Sequence, residues 1–286
     1  LDVVVLISGE PGTGKTQIAR LIHDNSRRRG QPFMEINCAA LQDTLVESEL
    51  FGTVSGAYTG ARTAPGKVEA ADGGTLFLDE VGELSPPAQA KLLQLLQSRQ
   101  YYPVGSTKLH TANVRLIAAT NARLDDAVAA GRFREDLYYR LNVMELRIPA
   151  LRERPEDIEP LMTELLQRIA DEHGLPRLPA SPGLRTRCEL EPWPGNVRQL
   201  RNRLETALIT AAGENATQVE PRHFDPSLPN SSDHLSYHDA TRAFQREFLQ
   251  RQLAEAKGNV AELARRIDLS RPYLSDLLKS FHLNSR

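Results

Sequence analysis

The sequence has few cysteines, no long apolar run and almost no net charge, and each absence narrows the class of protein. Its two cysteines, Cys38 and Cys188, lack the spacing of metal ligands, so we expect two reduced thiols rather than a disulfide framework or a zinc site. No apolar stretch approaches the ~18 residues that a membrane-spanning helix needs. The formal net charge of −2 does not indicate a nucleic-acid-binding surface over the whole chain.

The charges are nevertheless unevenly distributed. Residues 237–286 carry nine Lys and Arg against six Asp and Glu, so this part is basic and the remainder is acidic. The distribution favours DNA contact by the C-terminal part alone. The sequence begins with Leu1, without a basic segment or a cleavage pattern before the first apolar run. We expect a fragment that starts inside a larger protein, with no export signal and a cytoplasmic location.

Short apolar runs alternate with amphipathic stretches over the first half of the chain. This alternation is typical of an α/β domain in which helices cover a parallel sheet. The predicted strands are residues 3–8, 33–37, 75–79, 114–120 and 144–148. The first four are apolar or β-branched, as in strands that are buried on both faces. Helical patterns between the strands include residues 15–28 and 87–98.

After Pro149 the patterns are helical only. Residues 158–173 and 197–212 have the helical period, and a segment rich in Pro, Ser and Asn separates them from a last helical unit. The resulting division has four parts, which are an α/β domain at 1–150, a small helical domain at 151–226, a linker at 227–235 and an all-helical domain at 236–286.

A glycine-rich loop follows the first predicted strand and opens the first predicted helix. Its pattern is G-x-x-x-x-G-K-[ST], and its residues are Gly9, Glu10, Pro11, Gly12, Thr13, Gly14, Lys15 and Thr16. In this context the glycines let backbone N–H groups turn toward phosphate oxygens at a helix N-terminus. Lys15 would contact the β- and γ-phosphates and Thr16 would bind Mg²⁺, so the loop predicts ATP and Mg²⁺ as cofactors. The alternative is a glycine-rich turn with an incidental lysine.

Polar side chains also end the third and fourth predicted strands. Asp79 and Glu80 stand at the end of the third, and the carboxyl ends of parallel strands form the edge where ligands bind. Asp79 is placed to hold Mg²⁺, and Glu80 is placed to polarise an attacking water. Asn121 follows the fourth strand and could orient the water or sense the γ-phosphate, although an Asn after a strand is usually a turn residue.

These motifs together resemble the AAA+ ATPases, and within them the bacterial enhancer-binding proteins that activate sigma-54 RNA polymerase. The segments that carry the resemblance are GEPGTGKT at 9–16, ESELFG at 47–52, GAYTGA at 56–61, GGTLFLDE at 73–80, FREDLYYRLNV at 133–143 and WPGNVR at 193–198. The likeness covers nearly the whole chain. It implies an α/β fold with a P-loop AAA+ parallel-sheet domain and a helical lid, followed by an all-α, Fis-type helix-turn-helix domain.

The segment at 56–61 has two interpretations. Its residues are Gly56, Ala57, Tyr58, Thr59, Gly60 and Ala61, a composition that by itself favours a flexible surface loop. In the family this loop moves with the nucleotide state and contacts the sigma factor. The family usually has Phe where Tyr58 stands here, and we expect Tyr to be tolerated because it keeps the ring as a contact surface.

The resemblance assigns further roles by position. Asn37 would restrain the catalytic glutamate until the γ-phosphate is sensed. Arg134 and Arg140 would be arginine fingers that reach a neighbouring subunit's site, although the sequence alone favours two cations on a helix surface. Arg198 would be the second sensor, which links the nucleotide state to the position of the lid. Fingers that act in trans require a ring, which the family forms as a hexamer from inactive dimers.

Near the C-terminus, helical patterns at residues 258–267 and 271–282 are separated by a tight turn. They resemble the Fis-type module, in which the second helix enters the major groove of DNA. The predicted contacts are Ser270, Arg271, Tyr273, Ser275, Asp276 and Lys279. Asp276 departs from the family, which usually has basic residues nearby, and an acid there repels phosphate. The preceding helix, at 239–255, is predicted to be part core and part dimer face.

Two functions compete on this reasoning. The first is an ATP-dependent transcription activator that remodels the sigma-54 RNA polymerase holoenzyme from enhancer DNA, with no membrane partner. The alternative is a DNA-binding regulator that uses its nucleotide domain only as a ligand-controlled oligomerisation switch. The nearly intact loop at 56–61 favours the first, because relatives that act as switches lack it.

Overall fold

The computed structural model describes residues 2–40, 43–58, 60–225, 237–256, 259–267 and 269–281. The chain divides into two units, Leu1–Phe224 and Asp225–Arg286. The first unit combines a five-stranded sheet with helices, and the second unit is helical.

The five predicted strands are all present, and the structure adds two short strands and several helices that the sequence patterns did not indicate. The strands are β1 (Val5–Ser8), β2 (Phe33–Asn37), β3 (Thr75–Asp79), β4 (Gln100–Tyr101), β5 (His110–Thr111), β6 (Arg115–Thr120) and β7 (Met144–Arg147), of which β1, β2, β3, β6 and β7 are the predicted ones. The helices of the first unit are α1 (Lys15–Asp24), α2 (Asp43–Phe51), α3 (Lys67–Ala70), α4 (Pro86–Ser98), α5 (Leu124–Ala129), α6 (Glu135–Leu141), α7 (Ile158–His173), α8 (Pro182–Leu190), α9 (Asn196–Gly213) and α10 (Pro221–Phe224). The helices of the second unit are α11 (Tyr237–Glu255), α12 (Val260–Arg266) and α13 (Arg271–Ser280).

Five parallel strands form the main sheet in the order β2-β3-β6-β1-β7, which confirms the predicted α/β architecture. The central strand is β6. On one side it pairs with β1, where Thr120 stands opposite Ser8, so the two strands end side by side. On its other side β6 has β3 as its neighbour, and β3 in turn pairs with β2. In that pair Asn37 of β2 stands opposite Asp79 of β3. The carboxyl ends of β1, β2, β3 and β6 therefore meet at one edge, where loops can build a site.

The strands differ in burial according to their place in the sheet. β3 and β6 are almost entirely buried, with Leu76 and Leu78 in the core on one face and Phe77 in the core on the other. By contrast, β7 is exposed throughout and β2 is mostly half-buried. The predicted burial of residues 33–37 on both faces is therefore wrong, because an edge strand has a neighbour on one side only.

The first helix ends earlier than the pattern at residues 15–28 predicts. Beyond Asp24 the chain turns and carries Arg28 into a buried position. Its guanidinium donates to the carbonyl oxygens of Gly74, at 2.8 Å, and Asn113, at 2.6 Å, and it pairs with Asp2. These bonds tie the segment after the helix to the amino ends of β3 and β6. The helical pattern at 15–28 contains no local sign of them, because Gly74 and Asn113 are far away in the sequence.

Helices α7–α10, with the short 3-10 turns at Leu151–Glu153 and Pro155–Asp157, form the part that we call the lid. Its core surrounds Trp193, which is fully buried and donates from Nε1 to the carbonyl oxygen of Cys188 at 2.7 Å. Cys38 and Cys188 are both free and buried, and burial raises the pKa of each thiol to about 12. They therefore serve as small apolar groups.

The second unit packs α11, α12 and α13 around leucines from each helix, including Leu249, Leu263 and Leu274. The Asn259 side chain accepts from the backbone N–H of Ala261, so α12 begins after it rather than at residue 258. The predicted helix at 271–282 is described as α13, which ends at Ser280. Within the ranges that the structure describes, we find no helix with the length and apolar character that crossing a bilayer requires.

Candidate nucleotide-binding and catalytic site

The phosphate loop, defined as residues 9–16, runs from the end of β1 into the first turn of α1. Gly12 and Gly14 have φ angles of 79° and 102°, which residues with side chains rarely adopt. A Cβ atom on Gly14 would meet open space, whereas one on Gly12 would lie 2.4 Å from the carbonyl oxygen of Gly195 in the lid. The loop is therefore open on one side, as a phosphate cradle must be, and packed against the lid on the other.

Lys15 lies in the wall of this cradle and is 6% exposed. Its Nζ donates to the carbonyl oxygen of Gly9 at 2.9 Å and lies 3.5 Å from Oε1 of Glu80. Thr16 follows it in the first turn of α1, and Thr13 is buried with its hydroxyl donating to the carbonyl oxygen of Glu10. The ammonium group thus joins the loop to the end of β3, in a position to contact phosphate oxygens.

The carboxylate of Asp79 has an unfulfilled bonding requirement. Its Oδ1 atom is buried and accepts no hydrogen bond from the described residues. Burial and the neighbouring charge of Glu80 raise the pKa of Asp79 above its ordinary value. A buried carboxylate oxygen without a donor suits a hard cation or the water bound to one. Asp79 and the hydroxyl of Thr16 therefore fit the donor chemistry of a magnesium site.

Glu80 is held in an uncommon backbone conformation, with φ at 55°. Such a conformation costs roughly 1–3 kcal/mol in a residue with a side chain and persists only when its surroundings enforce it. Oε2 of Glu80 accepts from the backbone N–H of Asn121 at 2.9 Å, and Oε1 faces Lys15. The structure thus brings Asn121 to the predicted place, but its contact with the glutamate is made by the main chain.

Asn37 also reaches this edge of the sheet, at the end of β2. Its Oδ1 accepts from the backbone N–H of Ala39 at 2.9 Å. In this conformation Lys15 and Asn121 hold the Glu80 carboxylate, and the restraining role of Asn37 stays a prediction.

The two candidate arginine fingers lie at either end of α6 and are exposed. Arg134 forms a two-bond ion pair with Asp136, at 3.0 and 2.7 Å, and Arg140 donates to the carbonyl oxygen of Leu96 at 3.3 Å. The backbone N–H of Arg134 donates to the buried side chain of Gln89 at 2.9 Å. Gln89, which the sequence analysis missed, therefore fixes where α6 begins.

The lid contacts the phosphate loop through several residues. The backbone N–H of Arg198 donates to the carbonyl oxygen of Gly12 at 3.2 Å, which places this predicted sensor beside the loop with its side chain exposed. Arg152 pairs with Glu10 through bonds of 2.9 and 2.5 Å, and Arg154 donates to the carbonyl oxygen of Thr13 at 3.2 Å. The sequence analysis missed both arginines, although the run Leu-Arg-Glu-Arg at 151–154 was the available signal.

A cavity of about 620 Å³ lies at the carboxyl ends of β1, β6 and β7. Its lining includes Gly9, Glu10 and Asn121 but neither Lys15 nor Asp79. It is therefore beside the phosphate loop rather than over it.

The segment at 56–61, which we call the GAYTGA loop, lies between Thr53 and Ala64. Thr53 and Ala64 form an antiparallel bridge at its base, and Thr53 also bridges Val104. Gly56 and Gly60 both have φ angles of 85°, and a Cβ atom on either would meet open space. The loop side chains are open to solvent to differing degrees, with Ala57 and Ala61 half-buried and Tyr58 46% exposed, while Thr59 lies outside the described residues.

In the second unit, Ser270 caps α13 by accepting from the backbone N–H of Tyr273 at 3.4 Å. Arg271, Tyr273 and Lys279 are exposed on α13, and Ser275 is half-buried. The backbone of Asp276 belongs to the same helix, and its side chain lies outside the described residues. The DNA contacts of all six residues stay predictions.

Comparison with known families matches residues 1–147 to the sigma-54 interaction domain and residues 152–241 to an AAA+ ATPase lid domain. The chain is similar to the anaerobic nitric oxide reductase transcription regulator NorR of Citrobacter koseri, with 44% identity over 99% of the chain and 59% of the relative. It is also similar to the transcriptional regulatory protein GlrR of Escherichia coli, with 43% identity over 99% of the chain and 64% of the relative. The chain thus spans about three fifths of the length of these curated relatives.

Among solved structures, the chain is similar to NtrX from Brucella abortus in complex with ATP. The TM-score is 0.71 at 33% identity, and the match covers 98% of this chain and 64% of that one. The match agrees with the parallel-sheet α/β architecture and the helical lid.

Proposed function

The chain belongs to the AAA+ ATPase family whose members carry the sigma-54 interaction domain, and on this premise we propose that it hydrolyses ATP to remodel the sigma-54 RNA polymerase closed complex. The observation that carries the proposal is Glu80, which is held between Lys15 and the backbone of Asn121 beside the unpartnered oxygen of Asp79. A carboxylate held in place beside a phosphate loop suits the activation of water.

ATP with Mg²⁺ supplies, when bound, the phosphoanhydride that is cleaved and a cation that neutralises phosphate charge. The backbone N–H groups of residues 12–16 and the ammonium of Lys15 would bind the phosphates, with Thr16 and Asp79 holding the cation. Glu80 would leave Lys15, accept a hydrogen bond from the attacking water and take its proton. Asn37 would restrain Glu80 until that moment.

Hydrolysis in this proposal needs a second subunit. Arg134 and Arg140 would enter a neighbour's site, where a guanidinium stabilises charge on the phosphoryl group during transfer. Arg134 would first have to leave Asp136, and both arginines are exposed enough to do so. The assembly would be a homo-oligomeric ring, hexameric when active.

The GAYTGA loop would be the part that touches the sigma factor. Its exposed Tyr58 and its two glycines with open space around them support a surface that can move and make contacts. The exposed side chains of α13 would place the activator on enhancer DNA, and the whole system would operate in the cytoplasm.

The test of this function is Thr59→Ala, with Thr206→Ala as a matched control on the exposed surface of α9. We expect Thr59→Ala to keep ATP turnover within about twofold and to lose activation of sigma-54 transcription in a reconstituted assay, because only the contact with the polymerase is removed. Thr206→Ala should keep both activities. Unchanged activation by Thr59→Ala would support the alternative, in which nucleotide only controls oligomerisation.

A further inference from the structure

One buried side chain joins three parts of the first unit. Nδ2 of Asn196 donates to Oε2 of Glu10 and to the carbonyl oxygen of Pro11, both at 3.1 Å. Oδ1 of Asn196 accepts from the backbone N–H of Leu151 at 2.7 Å. The residue is 0% exposed. A single amide therefore bonds the phosphate loop and the first 3-10 turn of the lid to the start of helix α9, where Asn196 lies.

The backbone around Asn196 is strained. Asn196 has a φ angle of 50°, and Trp193, three residues earlier, has one of 45°. The tryptophan costs more in this region than an asparagine does, because large side chains rarely adopt it. Full burial of Trp193 and the bond from the Asn196 N–H to the Trp193 carbonyl oxygen, at 2.8 Å, hold the turn in place. Strain that is enforced at a contact with a functional loop is a sign of positioning.

The contact that this turn makes with the phosphate loop is unusually close. The carbonyl oxygen of Gly195 would lie 2.4 Å from a Cβ atom on Gly12, so only glycine fits there. The carbonyl oxygen of Gly12 in turn accepts from the N–H of Arg198. Arg152 and Asn196 both donate to the carboxylate of Glu10. The lid turn is therefore in direct contact with the backbone of the phosphate loop.

We infer that Asn196 is a positioning residue that sets the register of α9 against the phosphate loop, and so the place from which Arg198 meets a bound nucleotide. The amide suits this task because it donates to Glu10 and Pro11 on one side and accepts from Leu151 on the other. A carboxylate could not donate and would repel Glu10. The inference rests on the proposed nucleotide function only for Arg198, and the bonds themselves need no nucleotide.

The first experiment measures amide hydrogen exchange by mass spectrometry on the nucleotide-free chain. Asn196→Gly keeps a residue that accepts the positive φ angle and removes the three side-chain bonds. Asn215→Gly is the matched control, since Asn215 also has a positive φ angle, 53°, and is exposed. We expect exchange at the amides of Leu151 and Arg198 to accelerate about tenfold or more in Asn196→Gly, because a buried hydrogen bond contributes on that order, and to stay unchanged in Asn215→Gly.

The second experiment reverses the polarity of the contact. Asn196→Asp should weaken binding of a fluorescent ADP analogue about tenfold or more, because two carboxylates then face each other. Adding Glu10→Gln should recover much of that loss, since the new amide can donate to the carboxylate at position 196. In turnover assays Asn196→Asp should raise KM more than it lowers kcat, as expected for a residue that acts on binding.

Two results would overturn the inference. One is equal exchange at Leu151 in Asn196→Gly and Asn215→Gly, which would mean that the bonds do not hold the lid turn. The other is additive loss in the double variant, or unchanged ADP affinity in Asn196→Asp, which would reduce Asn196 to a fold-stabilising role. A wild-type chain that binds ADP but does not hydrolyse ATP would contradict the proposed function and leave both measurements intact.

Discussion

Two glycine-containing loops of the first unit have similar backbones and opposite surroundings. In the phosphate loop, Gly12 has a φ angle of 79° and touches the lid backbone, so both conformation and space require glycine. In the GAYTGA loop, Gly56 and Gly60 have φ angles of 85° and open space around them, so conformation alone requires it. The phosphate loop is bonded to the lid of its own chain, whereas Tyr58 of the GAYTGA loop is exposed to solvent. Glycine by itself does not tell the two apart.

The largest expected effect tests whether the phosphate site needs an arginine from a neighbouring subunit. Arg134→Ala should lower kcat for ATP by about 10³-fold or more, because an arginine supplied in trans stabilises the transferring phosphoryl group. The matched control is Arg123→Ala, since Arg123 precedes α5 and pairs with Asp125 as Arg134 precedes α6 and pairs with Asp136. Turnover per subunit should also rise with protein concentration in the wild type. A rate independent of concentration would show that one chain suffices.

The next prediction distinguishes ATP hydrolysis at the phosphate site from ATP binding there. Glu80→Gln should lower kcat by about 10²–10⁴-fold, since the amide cannot take a proton from water. Binding of ATP should persist, because Lys15 keeps its bond to the carbonyl oxygen of Gly9. Single-turnover hydrolysis checks the expected loss of rate, and nucleotide affinity measured on the same preparation checks that ATP still binds. Retained turnover would assign the base to another residue.

The difference between the two loops can be measured as a difference in the free energy of unfolding. Gly12→Ala should cost about 2–5 kcal/mol, because it combines an unfavourable φ angle with a clash against Gly195. Gly60→Ala should cost only about 1–2 kcal/mol, since it has the same conformational penalty without the clash. Denaturant unfolding monitored by circular dichroism gives both values. Equal costs would mean that the lid moves away from Gly12 at little expense.

The smallest effect is the loss at low pH of the stability that Glu10 contributes through its contact with the lid. Bonds from Arg152 and then Asn196 lower the pKa of Glu10 from 4.5 to about 2. Because the folded chain binds this proton less readily than the unfolded chain, the contribution of Glu10 is fully present above pH 4.5 and is lost as the pH falls toward 2. The stability difference between the wild type and Glu10→Gln should be constant near neutral pH and shrink as the pH falls through 4.5 toward 2. A difference that grows in acid would contradict the assignment.

Much of the fold was predictable because its signals are local. The apolar run at residues 75–78 predicts a buried strand whose end carries Asp79 and Glu80, and the structure confirms that strand. The partial burial of β2 was not predicted in the same way: Glu35 at its centre was a local sign of an open face, but the place of the strand at the edge of the sheet has no local signal. Place in the sheet depends on which strands pair, and that depends on the whole chain.

The features of the candidate site can likewise be divided into those set by local sequence and those set by the tertiary structure. The sequence by itself determined the chemistry of the phosphate loop and of the carboxylates after β3, because glycine conformation, helix N-termini and strand ends act over a few residues. Only the tertiary structure decided that Asn196 and Arg152 reach Glu10, that Glu80 lies between Lys15 and Asn121, and that the GAYTGA loop is open. Such contacts join residues far apart in the chain, and they form where packing and buried hydrogen bonds leave a single arrangement.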